Sequence, residues 1–99
     1  MHARMTIAQA QPDRFEEACA SVQATFLPTA REQSGYLGFL LLTDRATQQL
    51  IGISIWETEA DIQSSGGEGG YYQQRMADFA GLLVGPPAST THEVLVREP

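Results

Sequence analysis

Apolar and polar residues change their period several times along this chain. From Met1 to Gln9, His2, Arg4 and Thr6 alternate with Ala3, Met5 and Ile7, the period of a strand with two different faces. Pro12 then suits the first turn of a helix, with Glu16 and Glu17 near its positive end. Phe15, Ala18, Cys19, Val22 and Phe26 recur at helical spacing and predict one apolar face. Pro28 lacks a backbone donor, so it must kink or end that helix, or start a new turn. "REQSG" closes the segment, with Gly35 as its C-cap. Two apolar runs follow, "YLGFLLLTD" at Tyr36 to Asp44 and "LIGISIWE" at Leu50 to Glu57. The short polar link "RATQQ" between them predicts an antiparallel hairpin. Thr58 and Asp61 have the spacing of a capping box. Tyr72, Met76, Phe79 and Leu83 predict a second apolar helical face, which "GPP" at Gly85 to Pro87 ends. "STTHEVLVRE", Ser89 to Glu98, alternates as a last strand.

The order β-α-β-β-α-β predicts a single α+β domain over residues 1–99, a ferredoxin-like sandwich on an antiparallel sheet. The hairpin strands are apolar on both faces, as strands are when both faces are covered. A chain of 99 residues has helix enough for one face only. The economical cover for the other is a second copy of the chain, so a homodimer through the sheet face is expected.

Composition narrows the chemistry. The net charge is −6, and all six basic residues are arginine. Lysine and asparagine are both missing, which excludes Schiff-base chemistry, a phosphate-loop lysine and any asparagine-dependent site. An acidic chain without basic clusters is a poor partner for nucleic acid. No apolar run approaches the roughly 20 residues that span a bilayer, so no membrane role is expected. Cys19 is the lone cysteine, and the start "MHARMTIAQAQ" has no apolar signal region, so a cytoplasmic location is expected. No group of His, Cys, Asp or Glu has metal-ligand spacing.

"SSGGEGGYYQQR", Ser64 to Arg75, looks at first like a phosphate cradle. It has no lysine, and it puts Glu68 where an anion would sit. Its glycines instead break two helical pieces apart, each costing roughly 1 kcal/mol inside a helix. A stretch such as Gly66 to Gly70 can also serve as a lid over a pocket.

The segment "SGYLGFLLLTDRATQQLIGISIWETEADIQ" resembles the antibiotic biosynthesis monooxygenase-like family of the dimeric α+β barrel superfamily. The resemblance lies in the glycine-flanked aromatic entering strand two, in "WET" closing strand three before a short acidic helix, and in the tyrosine-rich second helix. It implies a homodimer with sheets packed face to face and a small, often polycyclic aromatic ligand held between sheet and helices. It also implies oxidation of a phenolic substrate by O2 without metal or flavin, so no cofactor is expected. The haem-degrading branch uses an asparagine on strand one and a histidine on helix two. This chain has neither, and haem cleavage is not expected of it.

Candidate residues follow. Trp56 either stacks on a flat ligand or is a large packing residue. It shares strand parity with Gly52 and Ser54, and Tyr36 with Gly38, Leu40 and Leu42. Faces carrying Gly38, Gly52 and Ser54 lack bulk and leave room for a ligand, unless the glycines mark bulges. Tyr72 has core spacing, whereas Tyr71 is freer to meet a ligand. Arg75 follows Tyr71 by four residues, so the two share a helix face, where Arg75 could stabilise a phenolate or enolate or simply be solvated. His92, or His2, is the candidate base for a phenolic proton. The expected set is thus Tyr71, Arg75 and His92 for catalysis, with Tyr36, Trp56 and Tyr72 for the ligand. The competing expectation is a non-catalytic ligand-binding or structural homodimer of the same fold.

Overall fold

A computed structural model describes residues 1–66 and 71–99, without the side chain of Tyr71. The elements are β1 (His2–Gln9), α1 (Phe15–Ser21), a π-helical turn (Val22–Phe26), α2 (Leu27–Ala30), β2 (Tyr36–Asp44), β3 (Gln49–Trp56), α3 (Glu59–Gly66), α4 (Tyr71–Phe79), a 3-10 turn (Ala80–Leu82) and β4 (Ala88–Glu93). The sheet order is β2-β3-β1-β4, with every neighbouring pair antiparallel. This is the expected ferredoxin-like α+β arrangement. Of the stretch Gly66 to Gly70 expected as a lid, residues 67–70 lie outside the described residues.

The first helix forms on its predicted face: Phe15, Ala18 and Val22 are buried, with Cys19 and Phe26 packed beside them. Pro12 is not its first turn. It lies in a preceding turn where Asp13 takes a φ of 74°, and the helix opens at Phe15. Pro28 neither ends nor sharply breaks the segment. Its ring would crowd the carbonyl four residues back in an α-helix. The chain widens instead, and the Leu27 amide donates to the Val22 carbonyl five residues behind it. The helix then runs on to Ala30.

Turn chemistry fixes the rest. Gly35 has a φ of +82°, and a Cβ on it would collide with the Asp61 side chain. Asp44 Oδ1 accepts from the Ala46 and Thr47 amides and closes the β2–β3 link. At α3, Thr58 Oγ1 accepts from the Asp61 amide at 3.1 Å, the N-cap half of the expected capping box, and donates to Asp61 Oδ2 at 2.8 Å.

Two expectations need correction. The last strand stops at Glu93 rather than Glu98, because its partner β1 is exhausted at His2. Only the Val94 amide continues the ladder, to the Met1 carbonyl, and Leu95 is then 86% exposed. Tyr36 does not share a face with Gly38. A bulge between them turns Tyr36 toward Trp56, and puts Gly38, Leu40 and Leu42 on the opposite face.

The sheet therefore has two unlike faces. One carries Arg4, Thr6, Ala8, Leu50, Gly52 and Ser54 and meets the helices. Across the other run the rows Gly38–Ile55–Ala3–His92, Leu40–Ile53–Met5–Thr90 and Leu42–Ile51–Ile7–Ala88. Leu40 is 54% exposed there and Leu42 46%.

Candidate functional site

A cleft lies between the helices and the inner face of the sheet. Its floor is two sheet rows, Phe39–Ser54–Arg4 and Leu41–Gly52–Thr6, flanked by Ala8 and Leu50. Gly52 and Ser54 supply the lack of bulk the sequence predicts. The Phe39 ring occupies part of that space, 3.2 Å from where a Gly52 Cβ would stand. The π-helical turn and α2 provide one wall through Val22, Phe26, Leu27 and Ala30. Helix α4 provides the other through Tyr72, Met76 and Phe79. The widened turn enforced by Pro28 is thus part of the cleft wall, and such π segments recur at functional sites. The cleft encloses about 570 Å³ between atoms, counting its open mouth, with about 60 Å³ of room for water-sized molecules. It is narrow and mostly apolar, the usual character of a small-molecule site.

The polar groups gather at one end. Arg4, only 5% exposed, reaches toward α3, and its Nη2 donates to the Ile62 carbonyl at 2.8 Å and to Ser65 Oγ at 2.7 Å. The guanidinium carbon lies 4.1 Å from the centre of the Tyr72 ring, a cation–π contact. The other prong, Nη1, is buried without a hydrogen-bond partner among the described residues. Three hydroxyls meet around the Thr6 row of the sheet: Thr6 Oγ1 lies 3.0 Å from the Tyr72 hydroxyl and 2.8 Å from Ser89 Oγ, and the Tyr72 and Ser89 hydroxyls also touch. Thr6 and Tyr72 line the cleft, while Ser89 is exposed on β4. Opposite Arg4 on β3, Ser54 Oγ accepts from Trp56 Nε1 at 2.9 Å.

The expected site residues do not all converge here. Tyr72 lines the cleft. Trp56 does not: it is 0% exposed and packs with Ala30 and Ile62, and Tyr36 meets its edge at 5.8 Å between ring centres. The packing alternative describes Trp56, which meets the cleft lining from behind, at Ser54 and Ala30. Arg75 is half-buried on α4 beside Asp78, at 3.7 Å, and is not part of the lining. His92 is an exposed residue of the other sheet face, where its Nε2 lies 2.8 Å from Thr90 Oγ1, because its register partner is Ala3 and not Arg4. His2 is on the helix face beside Trp56, with Nδ1 buried and unpartnered among the described residues, but outside the lining. The side chain of Tyr71 lies outside the described residues.

Arg4, Thr6 and Phe39 line the cleft although the sequence reading did not single them out. The signal for Arg4 was available. It sits among small and polar residues on one face of a strand that the fold makes central, and that is the face the helices cover. Among the described residues, no group of three or more His, Cys, Asp or Glu is placed to hold a metal ion, and no helix is long and apolar enough to cross a membrane.

No family model matches the sequence, and no curated protein matches it either. Solved structures do. A Bordetella bronchiseptica protein named as an antibiotic biosynthesis monooxygenase superposes with a TM-score of 0.79 at 17% identity, over 96% of this chain and 97% of its own. A monooxygenase from the ActVA-Orf6 gene of Streptomyces coelicolor, determined in complex with nanaomycin D, gives 0.78 at 14% identity, over 98% and 92%. A Nitrosomonas europaea protein of unknown function gives 0.77 at 26% identity, over 99% and 92%. The chain shares the fold of structures named antibiotic biosynthesis monooxygenase across nearly its whole length, as its sequence resemblance leads one to expect.

Proposed function

We propose that this chain binds a small planar aromatic or phenolic molecule in the cleft between sheet and helices, and oxidises it with O2 without metal or flavin. The observation that carries this reading is the cleft itself. It has apolar walls, a floor of small side chains, and polar groups gathered at one end, in the fold of monooxygenases of which one is known with nanaomycin D bound. In an anthrone-type substrate the phenolic or enolic proton leaves first. The resulting carbanion adds O2, and loss of water leaves a carbonyl where the ring held a methylene group. Arg4, Thr6, Ser54 and Tyr72 orient the substrate oxygen. The hydroxyls of Thr6, Tyr72 and Ser89 offer the departing proton a path to the exposed edge of the sheet.

The working unit we propose is a homodimer, two open sheet faces closed on one another. The exposed and half-buried Leu40, Leu42, Ile51, Ile53 and Ile55 support it, since a patch of this kind marks an interface. Oxygen uptake with an anthrone-type substrate, in chelator and without flavin, tests the activity. Enzyme-dependent uptake with one O2 consumed per quinone formed is expected. Binding without uptake would assign the cleft to a non-catalytic binding protein.

A further inference from the structure

We infer that Arg4 is an anion anchor inside the cleft. Its ligand is then a flat aromatic molecule bearing an ionised oxygen, a carboxylate or a phenolate, and not merely an apolar ring. The inference rests on the reading that the cleft takes an aromatic ligand, and adds the charge that ligand must carry.

A guanidinium is always charged, and taking it out of water is costly unless a charge or a full set of acceptors replaces the water. Arg4 is 5% exposed, yet the ion pairs among the described residues join other arginines: Arg14 with Glu17, Arg45 with Glu16, and Arg75 with Asp78. What Arg4 has among the described residues is neutral: a carbonyl and a hydroxyl at Nη2, and the Tyr72 ring against its face. Those contacts hold the planar fork in place. They leave Nη1 buried and unpartnered on a residue that lines the cleft.

Nine in ten or more of buried polar groups find a partner, so an orphaned donor on a positive group points to an absent acceptor. A neutral carbonyl could accept one hydrogen bond, but it would leave the charge unanswered. An ionised oxygen answers both, and a charge-assisted bond is roughly twice as strong as a neutral one. The apolar walls raise the value of that bond by keeping the local dielectric low. A second donor stands close by. Ser54 is the register partner of Arg4, and because its oxygen accepts from Trp56, its own proton is free to reach a ligand oxygen. The buried Trp56 thereby acts on the cleft as a positioning residue. Thr6 and Tyr72 continue the polar end, whereas Phe26, Met76 and Phe79 offer an aromatic skeleton only apolar contact.

Calorimetric titration with 2-naphthoate and with 2-naphthamide tests the inference, since the two have the same skeleton and differ in charge. The unaltered chain is expected to bind the anion at least about ten-fold more tightly. Arg4→Gln should abolish that preference, weakening the anion far more than the amide. A phenolate arm uses 4-nitrophenol at the pH where the free phenol is half ionised. Binding should raise its phenolate absorbance in the unaltered chain and not in Arg4→Gln, and a response in either arm identifies which oxyanion is taken. The arginine Nη resonances of the unaltered chain, with and without 2-naphthoate, keep the assignment independent of whether the variant folds. One guanidinium should shift and sharpen as Nη1 acquires its partner. Equal affinity for naphthoate and naphthamide, with no response from nitrophenol, would overturn the anchor and leave the aromatic cleft standing. Failure of both naphthalenes to bind would remove the cleft reading, and the anchor with it.

Discussion

At the scale of single residues, a side chain's surroundings decide its chemistry more than its type does. Cys19 sits against the main core cluster on α1, and its thiol is pushed above the usual range, first by burial and then by the negative Glu16, with Arg45 opposing. A raised thiol pKa means less nucleophilic thiolate at a given pH. Iodoacetamide should therefore alkylate the folded protein more slowly than N-acetylcysteine, with the rate profile displaced to higher pH. Faster alkylation than the free thiol would contradict the burial seen here. The sign for stability follows: the unfolded chain ionises this thiol first, so the fold loses stability as pH rises through the ordinary thiol range. Arg4 and Trp56 exchange the roles their sequence context invites. A tryptophan closing a strand suggests a ligand platform, yet Trp56 fills the core between Ala30 and Ile62. An arginine on the polar side of a period-2 strand looks solvated, yet strand order makes it a cleft residue. Residue identity was legible in the sequence; which face met which layer was not, because that depends on neighbours distant along the chain.

At the scale of elements, local chemistry was legible wherever a backbone constraint has only one solution. The Thr58–Asp61 cap and the β2–β3 hairpin form where the sequence places them, whereas the helix before β2 is capped at Arg31 and Gly35 takes its left-handed turn beyond that cap. Gly35 is the strictest of these, since its φ is +82° and a Cβ would strike Asp61. Gly35→Ala should cost about 2 kcal/mol or more through left-handed backbone strain and that collision. Chemical denaturation monitored by far-UV circular dichroism measures it, and an unchanged midpoint would contradict the turn geometry. Irregular features were harder to read. Pro28 announces a disturbance but not its form, because termination, a kink and a π-helical turn all relieve the same crowding. The bulge after Tyr36 was hidden for a related reason. Strand parity assumes an unbroken ladder, and one extra residue reverses every face assignment beyond it.

At the scale of the whole molecule, the sheet's two faces divide the work: one floors the cleft, and the other presents rows of aliphatic side chains. The order of elements made the fold legible, and the two-sided apolar strands made the second face legible as a problem needing cover. If that cover is a second copy, a charge at its centre should break it. Ile53 lies between Leu40 and Met5. Ile53→Glu should shift sedimentation equilibrium from dimer toward monomer at micromolar concentration; a monomeric unaltered chain would contradict the homodimer outright. The central claim is where an aromatic ligand binds, and the three methionines separate the possibilities. Met76 lines the cleft, Met5 lies on the opposite sheet face, and Met1 is at the chain's start. Methyl spectra of protein labelled with 13C at methionine should be recorded while 2-naphthoate is titrated in. A saturable ring-current shift at Met76, with Met5 and Met1 unmoved, is the predicted result. A shift confined to Met5, or none at Met76 at saturating ligand, would contradict the account.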